Sequence, residues 1–179
     1  MICIKIPTLM LSWIVLVWSK VIVDVNEEVF NCENSLPNSA VDFSDLEYEL
    51  DDKDELTLNG QIRVNEDYEA PIGLNFYTRH LEHGKWNVGL FSTMVKDFCP
   101  DLLNPTKPWY FITKTLNQTQ CPYKKGHIEI LDHMRYGTYG AIIPFNMLGE
   151  WKFFFEISAK RNGALIKECN MLRVFLTDG

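Results

Sequence analysis

Four histidines are the side chains best suited to acid–base or metal chemistry in this sequence: His80, His83, His127 and His133. None of them stands in a His-Glu-x-x-His pattern, which would place two zinc ligands and a general base on one helix face. The chain also lacks the Gly-x-Ser-x-Gly turn of hydrolases, a phosphate-binding loop and a Gly-x-Gly-x-x-Gly fingerprint. His80 and His83 flank a proposed turn and are predicted to be exposed to solvent. The sequence therefore predicts no enzymatic activity, no metal site and no cofactor.

The cysteines indicate a different chemistry, disulfide formation. Cys3 falls in an N-terminal leader, which leaves Cys32, Cys99, Cys121 and Cys169 in the mature chain. Four cysteines permit three pairings. Their positions favour Cys99–Cys121, which closes a loop rich in Pro and Asn, together with Cys32–Cys169, which joins the start of the mature chain to its last strand. A zinc site is disfavoured because no two of them stand two to four residues apart.

Residues 1–19 are typical of a secretory signal peptide. Lys5 precedes an apolar stretch over residues 6–18, which is shorter than the roughly 20 residues that span a bilayer. Lys20 and Asp24 interrupt any extension of this stretch. An uncleaved membrane anchor is the alternative. The favoured prediction is a secreted, extracellular protein whose single domain covers residues 20–179.

Asn117 begins the only acceptable N-glycosylation sequon, Asn-Gln-Thr at residues 117–119. It lies between Cys99 and Cys121, where a surface loop is expected. A similar triplet at Asn104 is disqualified because Pro105 occupies its middle position. We therefore expect a glycoprotein with one attachment site.

Charge is distributed unevenly along the chain. Residues 24–69 hold fifteen acidic and two basic side chains, whereas residues 70–179 hold nine acidic and thirteen basic ones. Nucleic acid is a poor partner for a chain of formal net charge −7. Two interpretations of the asymmetry stay open: a solvated acidic edge, or a molecule that presents a basic face to anionic head groups or to a protein. The acidic run at 51–55 lacks the features of a calcium loop and is predicted to be a charged turn.

The elements that would position these groups are predominantly strands. Apolar and polar side chains alternate in stretches that begin near residues 46, 56, 72, 86, 151 and 172, the period of half-buried strands. Asn162 and Gly163 predict a hairpin between the last two strands. Gly60 predicts a bend or bulge within one long strand, with a hairpin at Asn59-Gly60 as the alternative.

Two further segments carry less regular patterns. Residues 93–103 are predicted to form at most one short helix, since Met94, Phe98 and Leu102 recur every four residues. Residues 109–113 alternate and are predicted to be a strand. About eight strands with turns at regular spacing predict an all-β fold, a two-sheet antiparallel β-sandwich.

Aromatic side chains are abundant: eleven Phe, seven Tyr and five Trp. They can simply fill a large core, or the two sheets can be splayed so that inward aromatics line a cavity for an apolar ligand. By inward parity or by proximity to a cavity mouth, the candidate lining residues are Phe76, Trp109, Phe111, Tyr136, Tyr139, Phe145, Phe153, Phe155, Leu172 and Val174. Lys124, Lys125 and Lys152 are candidates for contact with a ligand head group.

Several motifs resemble one family in their order along the chain. These are Phe-Cys-Pro-Asp-Leu at 98–102, Cys-Pro-Tyr-Lys-Lys-Gly at 121–126, Gly-Glu-Trp-Lys-Phe at 149–153 and Ala-Leu-Ile-Lys-Glu-Cys at 164–169. Together they resemble the ganglioside activator protein and the wider ML lipid-recognition domain. The details look closest to the insect CheB proteins, which are secreted chemosensory relatives of that activator. The similarity is strongest over residues 97–176.

The resemblance implies an immunoglobulin-like sandwich around a lipid-sized cavity, without catalytic residues. It also supports the pairings Cys32–Cys169 and Cys99–Cys121. For CheB-like proteins the implied role is contact chemosensation, such as the gustatory response to hydrocarbon pheromones. This chain departs from the lysosomal activator because it has only four mature cysteines, which makes a ganglioside a doubtful ligand.

Two functional hypotheses follow. In the first, a secreted, non-enzymatic carrier or co-receptor binds a lipid or another apolar small molecule and presents it to a membrane receptor or ion channel. In the second, a secreted protein–protein interaction module acts on such a receptor or channel through its polarised surface, without a lipid ligand. The packing between the two sheets discriminates between them.

Overall fold

The structure is a computed structural model of the chain, and it describes residues 21–25, 29–50, 56–107, 109–135 and 147–178. The predicted signal peptide, the charged turn at 51–55 and the mouth candidates Tyr136, Tyr139 and Phe145 lie outside these residues.

The described residues form nine strands. They are β1 (Val21–Val25), β2 (Phe30–Asn31), β3 (Val41–Leu50), β4 (Leu56–Val64), β5 (Glu69–Glu82), β6 (Lys85–Val95), β7 (Ile128–Arg135), β8 (Gly149–Arg161) and β9 (Ala164–Asp178). The larger sheet has the order β1-β9-β8-β5-β6, with β2 also paired to β9, and the smaller sheet has the order β3-β4-β7. Each strand pairing is antiparallel. The predicted all-β, two-sheet sandwich is confirmed.

One cluster of side chains joins the two sheets. Val64 of the smaller sheet is buried with Ile72 and Ala159 of the larger sheet. Side chains alternate between the faces of a strand, so the odd-numbered residues of β8 share the face of Ala159. We call this the inner face of the larger sheet, and the opposite side its outer face.

Glycines mark two of the predicted irregularities. Gly60 has φ of 112°, and the register of β4 against β7 shifts between Leu58 and Gly60. A Cβ at Gly60 would collide with the carbonyl oxygen of Asp45, so a glycine is required there. The bulge is confirmed and the alternative hairpin is wrong. Asn162 and Gly163 both have positive φ and connect β8 to β9, so that predicted hairpin is also confirmed.

Two stretches differ from what their spacing indicates. At most one short helix was predicted within residues 93–103, and the structure has a 3₁₀ turn at Cys99–Asp101, whereas the first part of this stretch continues β6 to Val95. The ladder between β5 and β6 supplies Met94 and Val95 with partners on β5, which overrides the helical spacing. Residues 109–113 were expected to be a strand, yet Tyr110–Thr113 forms one helical turn, α1. The backbone N–H groups of Ile112 and Thr113 donate to the carbonyl of Trp109 within this turn, so they are not paired in a strand ladder.

One disulfide ties the segment after β2 to β9, and the other closes the long segment between β6 and β7. Cys32 is bonded to Cys169 and Cys99 to Cys121, each with a Cα–Cα distance of 5.8 Å. Both predicted pairings are confirmed, and they are compatible with an extracellular protein. Among the described residues, no helix has the length and hydropathy needed to cross a membrane.

Candidate functional site

The inner face of the larger sheet carries a group of apolar side chains from three neighbouring strands. Phe76 on β5 lies opposite Phe155 on β8, and Phe153 on β8 lies opposite Leu172 on β9. The ring centroids of Phe76 and Phe155 are 5.1 Å apart, and those of Phe76 and Phe153 are 5.9 Å apart, distances typical of favourable aromatic pairs. We call these four residues the aromatic patch.

The aromatic patch is incompletely covered. Phe155 is 41% exposed, although its side chain points to the face that meets the smaller sheet. Phe76, Phe153 and Leu172 are half-buried. A filled sandwich core buries inward aromatics fully, because each contributes 150–250 Å² of largely apolar surface. The exposure therefore indicates that the sheets do not close over the patch.

The interior is divided in the same way. Among the described residues, the buried side chains of the inner faces form separate clusters instead of one continuous core. One cluster, around Trp151 and Val174, covers only the larger sheet. Another, around Leu58 and Leu131, covers only the smaller sheet. Phe153 packs against the first of these clusters, which places the aromatic patch at its edge.

Polar side chains beside the patch are engaged with the protein. Asn170 is buried and accepts a 2.9 Å hydrogen bond from the backbone N–H of Ser39. The hydroxyl of Thr78 donates to the carbonyl of Phe91 at 3.1 Å. These groups have no need of a ligand, so the surface that the patch offers is apolar in character.

One end of the inner face is closed by a buried polar network. The hydroxyl of Tyr68 donates a short hydrogen bond to the carboxylate of Glu168, and the Arg161 guanidinium lies 2.8 Å from the other oxygen of Glu168. Burial and the Glu168 carboxylate raise the pKa of Tyr68 well above its usual range. The backbone N–H of Ala40 contacts both Tyr68 and Glu168, which fixes the entry of β3. This network is structural.

The other end is formed by Trp151 and His80. Their rings stack with centroids 4.2 Å apart, and the Trp151 indole N–H donates to the carbonyl of Met147 at 2.7 Å. His80 is only 9% exposed, with Nε2 at 3.2 Å from the carbonyl oxygen of Leu148. The prediction that His80 is exposed is wrong, whereas His83 is exposed as predicted. His80 has the parity of Ile72 and Phe76 on β5, and this signal could have identified it as inward.

Five of the predicted lining residues come together on the inner face: Phe76, Phe153, Phe155, Leu172 and Val174. Sequence reasoning missed Trp151, which shares their parity on β8. Trp109 instead caps α1, packs against Phe98 and donates from its indole to the carbonyl of Asp101 at 3.0 Å. The inward strand position predicted for Trp109 is therefore wrong. The side chain of Phe111 lies outside the described part of the structure.

The three head-group candidates do not converge. Lys124 and Lys125 lie at the corner after Cys121, where they pair with Asp67 at 2.8 Å and Glu66 at 3.1 Å. Lys152 alternates with Phe153, so its side chain lies on the outer face of the larger sheet, away from the aromatic patch. A shared contact of all three with one head group is incompatible with this geometry.

The corner itself is well anchored. Tyr123 forms an antiparallel bridge with Tyr68, and burial raises the pKa of Tyr123 to about 12. Asn117 is exposed, as a glycan attachment site requires, and its backbone N–H donates to the buried carboxylate of Glu129 at 2.7 Å. The sequon is thus presented by a fixed loop.

No protein-family model matches the chain, and no curated protein matches it.

Proposed function

We propose that this protein is a secreted, non-enzymatic carrier or co-receptor that binds an apolar ligand against the aromatic patch. The observation that carries the proposal is the exposure of Phe155 on an inner face, beside Phe76 and Phe153. Burying a chain of about 12 methylenes at about 0.8 kcal/mol each supplies a large gross driving force before the costs of ordering. Contact chemosensation is the role that the resemblance to the CheB proteins suggests for such a carrier.

Displacement of a fluorescent fatty acid tests the proposal directly. Phe155→Asp places a charge within the patch, and we expect it to weaken binding by about tenfold or more, since a buried carboxylate must be desolvated. Val88→Asp is the matched control, because Val88 is 92% exposed on β6 and lies outside the patch. Equal affinities for the two variants would contradict the proposal.

One observation favours the second candidate, a secreted interaction module for a membrane receptor or channel. The edge strand β6 exposes Val88, Leu90 and Met94 by 92%, 70% and 72%. Exposed apolar residues on an edge strand are typical of sites that pair with another chain. Native mass spectrometry of the secreted protein separates the candidates: co-purified lipid supports the carrier, and its absence under all conditions supports the interaction module.

A further inference from the structure

Three cations lie in one row across the outer face of the larger sheet. Arg79 on β5 is directly opposite Lys152 on β8, and Lys152 is directly opposite Arg173 on β9. Residues opposed in this way have Cβ atoms about 4.5–5.5 Å apart, a spacing at which like charges destabilise the sheet. We call these three residues the cation row. An anion beside the row is needed to offset the repulsion between the three positive charges.

A single carboxylate in the described part of the chain forms ion pairs with the row. Glu33, in the loop after Cys32, lies 2.5 Å from Nζ of Lys152 and 2.7 Å from a terminal nitrogen of Arg79. The hydrogen bond from Lys152 is the main cause that lowers the pKa of Glu33. Glu150 and Glu156 flank Lys152 on this face of β8. Within the described residues Glu150 has no ion pair with the row, and Glu156 accepts hydrogen bonds from Asn34, Asn75 and Tyr77. Counting the ion pairs of the described residues, the row holds three cations against one carboxylate.

Most of the donors of the two arginines are unused. A guanidinium carries five N–H donors, and Arg79 uses one of them for Glu33. Arg173 lies over the ring of Phe30 at 5.0 Å, and within the described residues its buried Nε has no hydrogen-bond partner. The site is also accessible, because the side chains of Arg79 and Glu33 are 41% and 40% exposed.

Two cations of the row are held against aromatic rings. Nζ of Lys152 lies 4.1 Å from the ring centroid of Trp86, and its side chain is only 8% exposed. Arg79 lies over the ring of Phe154. Cations held against aromatic faces lose little further freedom when a ligand binds, which favours binding.

We propose that the cation row is a binding site for an oxyanion, a phosphate or sulfate group that binds beside Glu33 to the free donors of Arg79 and Arg173. Guanidinium groups match the geometry of such oxygens and bind them in a bidentate manner. The site lies on the opposite side of the sheet from the aromatic patch, so it stands independently of the apolar ligand. The oxyanion can belong to a free ion or to a lipid head group.

Titration calorimetry with inorganic phosphate and with sulfate, at ionic strength matched with chloride, tests the free ion. Sedimentation with vesicles of phosphatidylcholine, with and without phosphatidic acid, tests the head group. We expect saturable binding in at least one of these two experiments. The experiment that shows binding identifies whether the oxyanion is a free ion or a lipid head group. Arg173→Gln should weaken this binding by about tenfold, the value of one charge-assisted contact, and Glu33→Gln should strengthen it by removing the competing carboxylate.

Lys160→Gln is the matched control, because Lys160 is exposed on the same face outside the row and loses the same charge. It should bind as the unaltered protein does. If Arg173→Gln does not fold, Arg79→Gln replaces it, since the side chain of Arg79 is 41% exposed. The proposal is overturned if neither experiment shows saturable binding, if the control loses as much affinity as Arg173→Gln, or if Glu33→Gln binds more weakly.

Discussion

Phe154 and Phe155 are adjacent on β8 and have opposite environments. Phe154, on the outer face, is 1% exposed, whereas Phe155, on the inner face, is 41% exposed. Sandwiches normally bury the inner face and leave the outer face in water. The reversal shows that this chain closes the outside of its larger sheet and leaves part of the inside open.

An aromatic ring and a disulfide-containing cluster cover the outer face at Phe154. The ring of Tyr77 stacks on Phe154 at 4.6 Å, and Phe154 is buried in one cluster with Met171 and the disulfide of Cys32 and Cys169. Phe155 on the inner face is 41% exposed, and the described residues place no comparable layer over it. The outer face is thus a stabilising layer, and the inner face exposes part of its apolar surface.

Loss of the Cys32–Cys169 disulfide tests this closure and should have the largest effect. The bond spans 137 residues, for which the chain-entropy estimate is about 5 kcal/mol. We expect the double Ser variant to lower the free energy of unfolding by close to that amount in urea titrations. The Cys99–Cys121 bond spans 22 residues, and its removal should cost about 3 kcal/mol. If removal of Cys32–Cys169 lowered the free energy of unfolding less than removal of Cys99–Cys121, the outer layer would not depend on its disulfide.

Truncation of the two phenylalanines compares the faces directly. Phe154→Ala removes a fully buried ring and should cost about 3–5 kcal/mol of unfolding free energy. Phe155→Ala removes a ring that is partly in water and should cost less than about 1 kcal/mol. Chemical denaturation of both variants provides the measurement. Equal losses would mean that the inner face is closed in solution.

Acidification should produce the smallest effect, at the edge of the outer layer. The hydrogen bond from Lys152 lowers the pKa of Glu33 in the folded protein. Its contribution is therefore complete above the usual pKa of glutamate and is lost as the pH falls through the lowered value. Because this ion pair is partly exposed, we expect less than about 1 kcal/mol. Unfolding midpoints measured between pH 7 and pH 2.5 should fall more for the unaltered protein than for Glu33→Gln.

The alternation of apolar and polar residues predicted much of the fold. Alternation located most of the strands, and parity placed Phe76, Phe153 and Phe155 on one face, because a strand reverses its side chains at every residue. Helical spacing failed at the start of residues 93–103, where the ladder to β5 extends β6 to Val95. Alternation failed at residues 109–113, where hydrogen bonds within a turn replace a strand. For His80 the parity correctly indicates the inner face, and only its position near a turn suggested exposure.

The sequence by itself determined most of the strands, the disulfide pairing and the parity of the aromatic residues on β5 and β8, since each depends on short-range spacing or on a small number of pairings. Only the tertiary structure decided that Phe154 is covered while Phe155 is open. The same holds for the alignment of Arg79, Lys152 and Arg173 in one row. Register between distant strands and the path of a loop across a sheet depend on contacts between residues far apart in the chain, which local periodicity does not encode.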